Sequence, residues 1–334
     1  MKNYLDKLFS QKDLSCKEIE RFLYLLTEGH FNEEQISAFI AALQTKGITP
    51  EEFVAAFHYF DQTSSKFLGD LPAIHIMGTG KSRKPFNVST CAALIASLKV
   101  PVVKKTARAI SSSSGSADLL EALGLTMQSS YSAKESLQKN NICFFYTQLL
   151  HPAFGKVHAV RRSLGAFSLF DLIAAFLSAG RKRVHLVGVN SEKSFLMLKE
   201  AFKKIELFDH LLLVHGLDGM DEISISAPTK ILEVKKGECK EFLFKPIDFG
   251  LKEEKCSCMK NSFDSSETLL RILEGEEGPC TDLAALNAGA LFYLGDVVQS
   301  LKEGYLMAKE LVIQKIAFQK LLSLKHWNKE LFIL

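Results

Sequence analysis

Apolar residues in the first 65 positions recur every three or four residues, which is the spacing of amphipathic helices. The first stripe follows Ser15 and Glu18, which have the reciprocal spacing of a capping box. A similar pair, Asn32 and Gln35, precedes the second stripe, and Thr49-Pro50 opens the third. The pattern predicts a small unit of three short helices. Its apolar stripes must pack against each other or against a partner, and a dimer contact is one interpretation.

From about residue 72 the pattern changes to short apolar runs, each followed by a turn and then by helical spacing. The runs lie at residues 74–77, 100–103, 142–146, 183–189 and 210–216. Strands that alternate with helices predict a mainly parallel central sheet covered by helices. The pattern at residues 223–261 predicts short antiparallel strands. The later pattern predicts helices at residues 266–273, 280–293 and 295–322.

These patterns predict an α/β protein with two domains. The small helical domain would span residues 1–65, joined by a helical segment near 166–180, and the large α/β domain would span residues 72–334.

Composition narrows the class of protein without identifying it. The chain has 334 residues, of which 47% are hydrophobic and 24% charged, and a formal charge of +3. Such a small charge does not indicate a nucleic-acid or membrane partner, and no run reaches the roughly 18–20 apolar residues of a membrane span. Asp6 and Lys7 interrupt any apolar core of a signal peptide. The seven cysteines are mostly isolated, and Cys256 and Cys258 form one C-x-C that is weak as a zinc site. Loop thiols in a reducing cytoplasm are the expectation.

Two segments after predicted strands have the residues of an anion site. Gly78-Thr79-Gly80 leads toward Asn87-Val88-Ser89-Thr90, so exposed amides and a helix N-terminus could bind phosphate. In isolation this motif is weak evidence and is more typical of a turn that binds nothing. Lys104 and Lys105 begin the second segment, which continues through a serine run to Gly115 and to Ser116, a possible helix cap. Serine-rich runs are more often plain loops.

Two further segments offer a metal site and a second anion site. Asp221 and Glu222 follow a strand between glycine turns, and paired carboxylates are ligands that suit Mg²⁺. A solvated acidic turn is the alternative, at even odds. His151-Pro152 precedes Arg161-Arg162, and an arginine fork suits a carboxylate or phosphate, although a basic helix face would look the same. The two phosphate-type segments and the acidic pair lie at the carboxyl ends of predicted strands, where open α/β sheets bind ligands. Together they indicate a substrate with several phosphates, a divalent ion and an acidic partner.

The order and spacing of these motifs resemble the anthranilate phosphoribosyltransferases of tryptophan biosynthesis. The resemblance covers the whole chain and rests on GTG (78–80), NVST (87–90), SSSSGSADLLEALG (111–124), HP with VRRSLG (151–152, 160–165) and VHGLDGMDE (214–222). It implies a helical domain joined to an α/β domain, usually a homodimer, that uses Mg²⁺ to transfer a ribosyl phosphate from phosphoribosyl pyrophosphate to anthranilate.

The resemblance also implies roles for individual residues. Arg108 and Arg161 would be catalytic, with Arg161 facing the anthranilate carboxylate, and Ser89, Asp221 and Glu222 would hold Mg²⁺ on the pyrophosphate. The full substrate-binding set would be Gly78, Gly80, Lys81, Ser82, Asn87, Ser89, Thr90, Lys104, Lys105, Ala107, Arg108, Ser111, Ser112, Ser116, His151 and Arg161.

Three segments depart from the family pattern. Where the family has GTGGD, KHGNR and FNLLGPLTNP, this chain has GTGKS (78–82), KKTAR (104–108) and FDLIAAFLSA (170–179). The last two changes concern the acceptor pocket, so transfer to a different aromatic acceptor is a second hypothesis. A third is a non-catalytic relative that binds nucleic acid through Lys81, Arg83, Lys84, Lys104 and Lys105. Asp221 and Glu222 argue against it, because carboxylates would repel a polyanion.

Overall fold

The computed structural model describes residues 1–79, 85–106, 115–252 and 265–331. Its N-terminal part contains the helices α1 (Lys2–Phe9), α2 (Cys16–Glu28), α3 (Glu33–Lys46) and α4 (Pro50–Thr63). The three predicted helices are α2, α3 and α4, and each begins at the predicted N-cap with both hydrogen bonds of a capping box. Helix α1 has no side-chain cap, and the sequence therefore contains no start signal for it.

Within the described ranges, seven strands form one sheet in the order β3-β2-β1-β4-β5-β6-β7. They are β1 (Ile74–Gly78), β2 (Val102–Thr106), β3 (Ile142–Tyr146), β4 (Val184–Gly188), β5 (His210–Gly216), β6 (Thr229–Lys235) and β7 (Glu238–Phe244). The first five in the sheet are parallel, and β6 and β7 add an antiparallel hairpin. The predicted architecture, a helical domain with a larger and mainly parallel α/β domain, is thus confirmed.

Strand β2 lies further along the chain than the sequence pattern predicted. Lys104 and Lys105 were expected after the strand but belong to it, paired in register with Phe144 and Phe145 of β3. The strand extends through two lysines because each ammonium group finds buried hydrogen-bond acceptors, which offset the cost of removing it from water.

Helices cover both faces of the sheet. They are α5 (Val88–Ala96), α6 (Ser116–Ala122), α7 (Ser130–Asn140), α8 (Pro152–Lys156), α9 (His158–Leu164), α10 (Leu169–Phe176), α11 (Glu192–Phe202), α12 (Ser265–Leu273), α13 (Pro279–Leu294), α14 (Leu301–Ile313) and α15 (Ile316–Leu331). The single helix predicted for residues 295–322 is wrong. Ser300 caps the start of α14, and Lys315, with a φ of 60°, separates α14 from α15.

The sheet separates two hydrophobic cores. Side chains alternate along each strand, so that Phe144 belongs to the core beneath α5 and α13 whereas Phe145 belongs to the core beneath the N-terminal helices. In that second core Phe53 of α4 packs edge to face on Phe176 and Phe202. Burying each such ring stabilises the fold by about 1.5–3 kcal/mol, so the N-terminal helices are fixed on one face of the sheet.

Cysteine pairing differs from the expectation of free thiols. Cys16, Cys91, Cys143 and Cys239 are free, but Cys280 is disulfide-bonded. Cys256 and Cys258 lie outside the described residues. Within the described part of the chain, no helix is long and apolar enough to cross a membrane.

Candidate active site

The strand order reverses between β1 and β4, which creates a crevice at the carboxyl ends of these two strands. The last residues of the two strands, Gly78 and Gly188, are register partners, and the Thr79 amide donates a 2.9 Å hydrogen bond to the Gly188 carbonyl. The buried Thr79 hydroxyl has no hydrogen-bond partner among the described residues. A polar side chain therefore stands at the point where doubly wound sheets bind their ligands.

A lysine and a serine meet beside this crevice. Lys104 of β2 donates a 3.0 Å hydrogen bond to the Ser89 hydroxyl in the first turn of α5, and both side chains are buried. Asn87, the N-cap residue of α5, makes no capping bond with its side chain. The Thr90 hydroxyl is buried without a partner in the described part of the chain. The start of α5 thus combines a cation with hydroxyl groups, and the helix N-terminus adds a partial positive charge.

The acidic pair Asp221 and Glu222 lies on the loop after β5, and both side chains are buried. A Cβ atom on Gly188 would come within 1.7 Å of the Asp221 carbonyl oxygen, so the loop packs directly against the end of β4. The two carboxylates therefore stand at the crevice between β1 and β4, not in a solvated turn.

Asn287 of α13 holds the residue that follows the acidic pair. Its Oδ1 accepts a 3.0 Å hydrogen bond from the Ile223 amide, and its Nδ2 donates to the carbonyls of Ile223, at 3.0 Å, and Leu283, at 2.9 Å. No motif in the sequence predicted that Asn287 belongs to the site. The available signal was a single amide within the apolar run of α13.

Oxygen atoms dominate this part of the site. The described residues contain no group of three or more His, Cys, Asp or Glu side chains able to hold a metal ion. Asp221 and Glu222 instead offer two carboxylates, which are hard oxygen ligands and suit a cation that completes its coordination with other oxygen atoms, substrate phosphates and water.

A cavity of about 320 Å³ adjoins the crevice. It extends from Thr79 and Thr106 at the sheet to Arg161 of α9 and Asp171 of α10. The described residues that line it are Met77, Thr79, Thr106, Tyr146, Thr147, Gln148, Phe154, His158, Arg161, Asp171 and Ala174. This volume and its mixture of apolar walls and a few polar groups suit a small aromatic molecule.

Arg161 lies in the cavity, as the resemblance implied, but it already has a carboxylate partner. Its Nη2 forms an ion pair with Asp171 Oδ1, while its Nε is buried without a partner among the described residues. The other Asp171 oxygen accepts hydrogen bonds from the Ser168 amide, at 2.9 Å, and the Ser168 hydroxyl, at 2.7 Å. The start of α10 therefore fixes Asp171 and, through it, the guanidinium group.

His158 is the second basic side chain of the cavity. Burial lowers the pKa of its imidazole, and the positive charges of Arg161 and Arg162 lower it further. The imidazole is therefore neutral near pH 7, and Arg161 supplies the positive charge at this end of the cavity.

Two predicted substrate contacts, Lys105 and His151, have hydrogen-bonding roles within the fold. Lys105 lies away from the cavity lining and donates hydrogen bonds to the carbonyls of Ala174, Ala175 and Leu177. Burial lowers the pKa of this lysine well below its ordinary range, and the nearby Lys104 adds to the effect. Lys105 has a structural role because its strand position directs it into the core beneath α10.

His151 is structural as well. It is the N-cap of α8, its Nδ1 accepts a 3.1 Å hydrogen bond from the Ala153 amide, and its ring packs edge to face on Phe60. Burial lowers its pKa. The predicted helix cap Ser116 is also wrong, because Gly115 is the N-cap of α6 and Ser116 is its first helical residue.

Seven predicted site residues lie outside the described residues, so their roles stay predictions. They are Gly80, Lys81, Ser82, Ala107, Arg108, Ser111 and Ser112. The structure thus brings together Gly78, Asn87, Ser89, Thr90, Lys104, Asp221 and Glu222 at the crevice and Arg161 at the adjoining cavity.

The fold and this site define a class of enzyme, and the chain belongs to the glycosyl transferase family with a helical bundle domain and an a/b domain. Residues 2–60 match the family's helical bundle domain and residues 71–315 match its a/b domain.

The relatives within this class are anthranilate phosphoribosyltransferases. The enzyme of Shouchella clausii is 33% identical over 98% of both chains, and that of Methylobacillus flagellatus is 34% identical over 96% of both. The crystal structure of the enzyme from Thermus thermophilus superimposes with a TM-score of 0.83 at 29% identity, covering 98% of this chain and 99% of that one. The Saccharomyces cerevisiae enzyme in complex with PRPP and Mg gives a TM-score of 0.81 at 25% identity, covering 98% and 97%.

Proposed function

We propose that this enzyme transfers the 5-phosphoribosyl group of phosphoribosyl pyrophosphate to anthranilate in a Mg²⁺-dependent reaction, giving phosphoribosylanthranilate and pyrophosphate for tryptophan biosynthesis. One observation carries the proposal. The buried pair Asp221 and Glu222 and the hydrogen-bonded pair Lys104 and Ser89 flank the same crevice, and the cavity that contains Arg161 adjoins it. The names of the relatives and the PRPP and Mg complex of the yeast enzyme support the same reaction.

The crevice would bind the phosphorylated donor. Asp221 and Glu222 would hold Mg²⁺, and the Ser89 oxygen has a second lone pair for it beside the hydrogen bond from Lys104. The ion would neutralise the pyrophosphate and promote its departure. Thr79 and Thr90, whose hydroxyls are buried without partners in the described part of the chain, would donate to donor oxygens, together with Asn87.

The cavity would bind the acceptor. Asp171 engages the Nη2 of Arg161, so the acceptor carboxylate would bind other N–H groups of the same guanidinium, which has five donors. Anthranilate held there would direct its amine toward the anomeric carbon, where the new carbon–nitrogen bond replaces the bond to pyrophosphate. The amine gives up one proton in the process. Much of the acceleration would come from holding donor and acceptor in one orientation.

Several expectations accompany this proposal and stay predictions. They are a homodimer formed through the helical domain, a cytoplasmic location, and the roles of the seven substrate-binding residues named above as lying outside the described residues.

Substitution of the acidic pair tests the proposal. Asp221→Asn and Glu222→Gln should each abolish formation of phosphoribosylanthranilate while the proteins stay folded by circular dichroism. Asp70→Asn, which neutralises a carboxylate that is 77% exposed, is the matched control and should keep full activity. Wild-type protein that gives no product at high concentrations of both substrates and Mg²⁺ would exclude the anthranilate assignment.

A second candidate is transfer to an aromatic amine that lacks a carboxylate. The observation that favours it is Asp171, which already neutralises Arg161 and would repel an incoming carboxylate. Pyrophosphate release measured across a panel of aromatic amines and bases separates the candidates. Release with anthranilate alone supports the first, and release only with neutral amines supports the second.

A further inference from the structure

Lys105 occupies an unusual position for a lysine, because its side chain is 1% exposed in the middle of β2. An ammonium group has three N–H donors. All three donate to main-chain carbonyls of one segment: Ala174 at 2.7 Å, Ala175 at 2.9 Å and Leu177 at 2.6 Å.

These carbonyls belong to the C-terminal end of α10. The last hydrogen bond of the helix runs from the Leu177 amide to the Ile173 carbonyl, so Ala174 and Ala175 have no amide further along the helix to accept from. The C-terminus of a helix also has a partial negative charge that favours a cation. Lys105 therefore satisfies the end of α10 with both its donors and its charge.

The same short stretch of β2 contacts both halves of the site. Lys104 donates to Ser89 at the crevice, Lys105 holds α10, and Thr106 lines the cavity. Helix α10 in turn supplies Asp171 and Ala174 to the cavity wall. A displacement of α10 relative to β2 would thus move the acceptor wall relative to the donor crevice.

A second contact joins the end of α10 to the sheet. Ser178, which follows the helix, forms a 3.0 Å hydrogen bond with His75 Nε2 on β1 and donates to the Lys182 carbonyl at 2.8 Å. The segment after α10 is therefore bound to β1 and to β2, and Lys105 makes the larger share of these contacts.

We propose that Lys105 is a positioning residue for the acceptor, which fixes α10 on β2 and so aligns the acceptor cavity with the donor crevice. This chain departs from the family pattern at residues 104–108 and at residues 170–179. The two departures are then one coupled change, because Lys105 of the first segment donates hydrogen bonds to carbonyls of the second. This inference rests on the proposed transferase function for its kinetic consequence but not for its structural one.

The test compares Lys105→Met, which keeps the length of the side chain and removes its donors, with wild-type protein. Lys139→Met is the matched control, because Lys139 is 61% exposed and forms an ion pair with Glu135 of its own helix, α7. We expect Lys105→Met to raise the KM for anthranilate on the order of 10- to 100-fold, as misplacement by about 1 Å does. The dissociation constant of phosphoribosyl pyrophosphate with Mg²⁺ should stay within about twofold, because Lys104 and Ser89 are unchanged. Equal losses of donor and acceptor affinity would overturn the proposal in favour of a general structural role.

Hydrogen exchange of the α10 amides provides a readout that does not depend on the acceptor. These amides should exchange about tenfold faster in Lys105→Met than in wild type, while those of α5 stay unchanged. Unchanged exchange in α10 would overturn the proposal. If wild-type protein transfers nothing to anthranilate, the proposed function fails and the exchange result still decides the role of Lys105.

A milder variant keeps the test decisive if Lys105→Met does not fold. Lys105→Gln retains two N–H donors and should raise the KM for anthranilate and the α10 exchange rate about threefold, between wild type and the methionine variant. A glutamine variant equal to wild type in both measurements would contradict the proposal.

Discussion

Replacing Asn287 by alanine should destabilise the fold and weaken the metal site together. The side chain is fully buried and makes both hydrogen bonds to the main chain of Ile223, the residue after the acidic pair. Alanine would leave the Ile223 amide and carbonyl unpaired, and each orphaned group costs about 1–3 kcal/mol. The expected loss is therefore about 2–6 kcal/mol in the free energy of unfolding.

Urea unfolding measures that loss, and a Mg²⁺ titration of donor binding measures the effect on the site. Because Asp221 and Glu222 would no longer be held in place, the Mg²⁺ requirement should rise on the order of 10- to 100-fold, as for other residues that orient metal ligands. Asn3→Ala, which removes an exposed amide from α1, is the control and should change neither quantity. A loss below about 1 kcal/mol with an unchanged Mg²⁺ titration would refute the reasoning.

Three further substitutions test separate parts of the structure. Asp171→Asn removes the carboxylate that competes with anthranilate for Arg161. The KM for anthranilate should therefore fall roughly tenfold, which corresponds to about 1.4 kcal/mol. A higher KM in steady-state assays would contradict this. Gly188→Ala places a Cβ 1.7 Å from the Asp221 carbonyl oxygen, and urea unfolding should report a loss of at least about 1–3 kcal/mol together with lost turnover. Burial opposes ionisation of Asp61, but Arg183 and Lys66 outweigh it and lower the pKa of this carboxyl. Asp61→Asn should therefore lower the free energy of unfolding by about 3–5 kcal/mol at pH 7. The difference in this free energy from wild type should shrink as the pH falls below about 4, where the carboxyl becomes protonated first in the unfolded chain and then in the native one. An equal difference at pH 7 and pH 3 would be inconsistent with the ion pairs.

Local signals in the sequence were sufficient for much of the fold. The capping boxes at Ser15 and Asn32 depend on residues three positions apart, and both form as predicted, as does the N-cap at Thr49. The alternation of apolar runs with helical spacing similarly predicted the parallel sheet, because strands buried on both faces have few polar residues. Because the glycine turn and the acidic pair each follow a predicted parallel strand, they were expected at the same edge of the sheet.

The clearest error arose where a distant contact determines the role of a residue. Lys105 is directed away from the cavity by carbonyls that lie 69–72 residues later in the chain. His151 caps its own helix, and a substrate contact for it stays a prediction. The ion pair of Asp171 with Arg161 joins α10 to α9, and no spacing in the sequence specifies it.

The most direct test of the account is a titration of wild-type protein with phosphoribosyl pyrophosphate, with and without Mg²⁺, followed by addition of anthranilate. The account predicts donor binding that requires Mg²⁺, and then release of pyrophosphate with formation of phosphoribosylanthranilate. Donor binding that is indifferent to Mg²⁺, with no product after anthranilate is added, would contradict it.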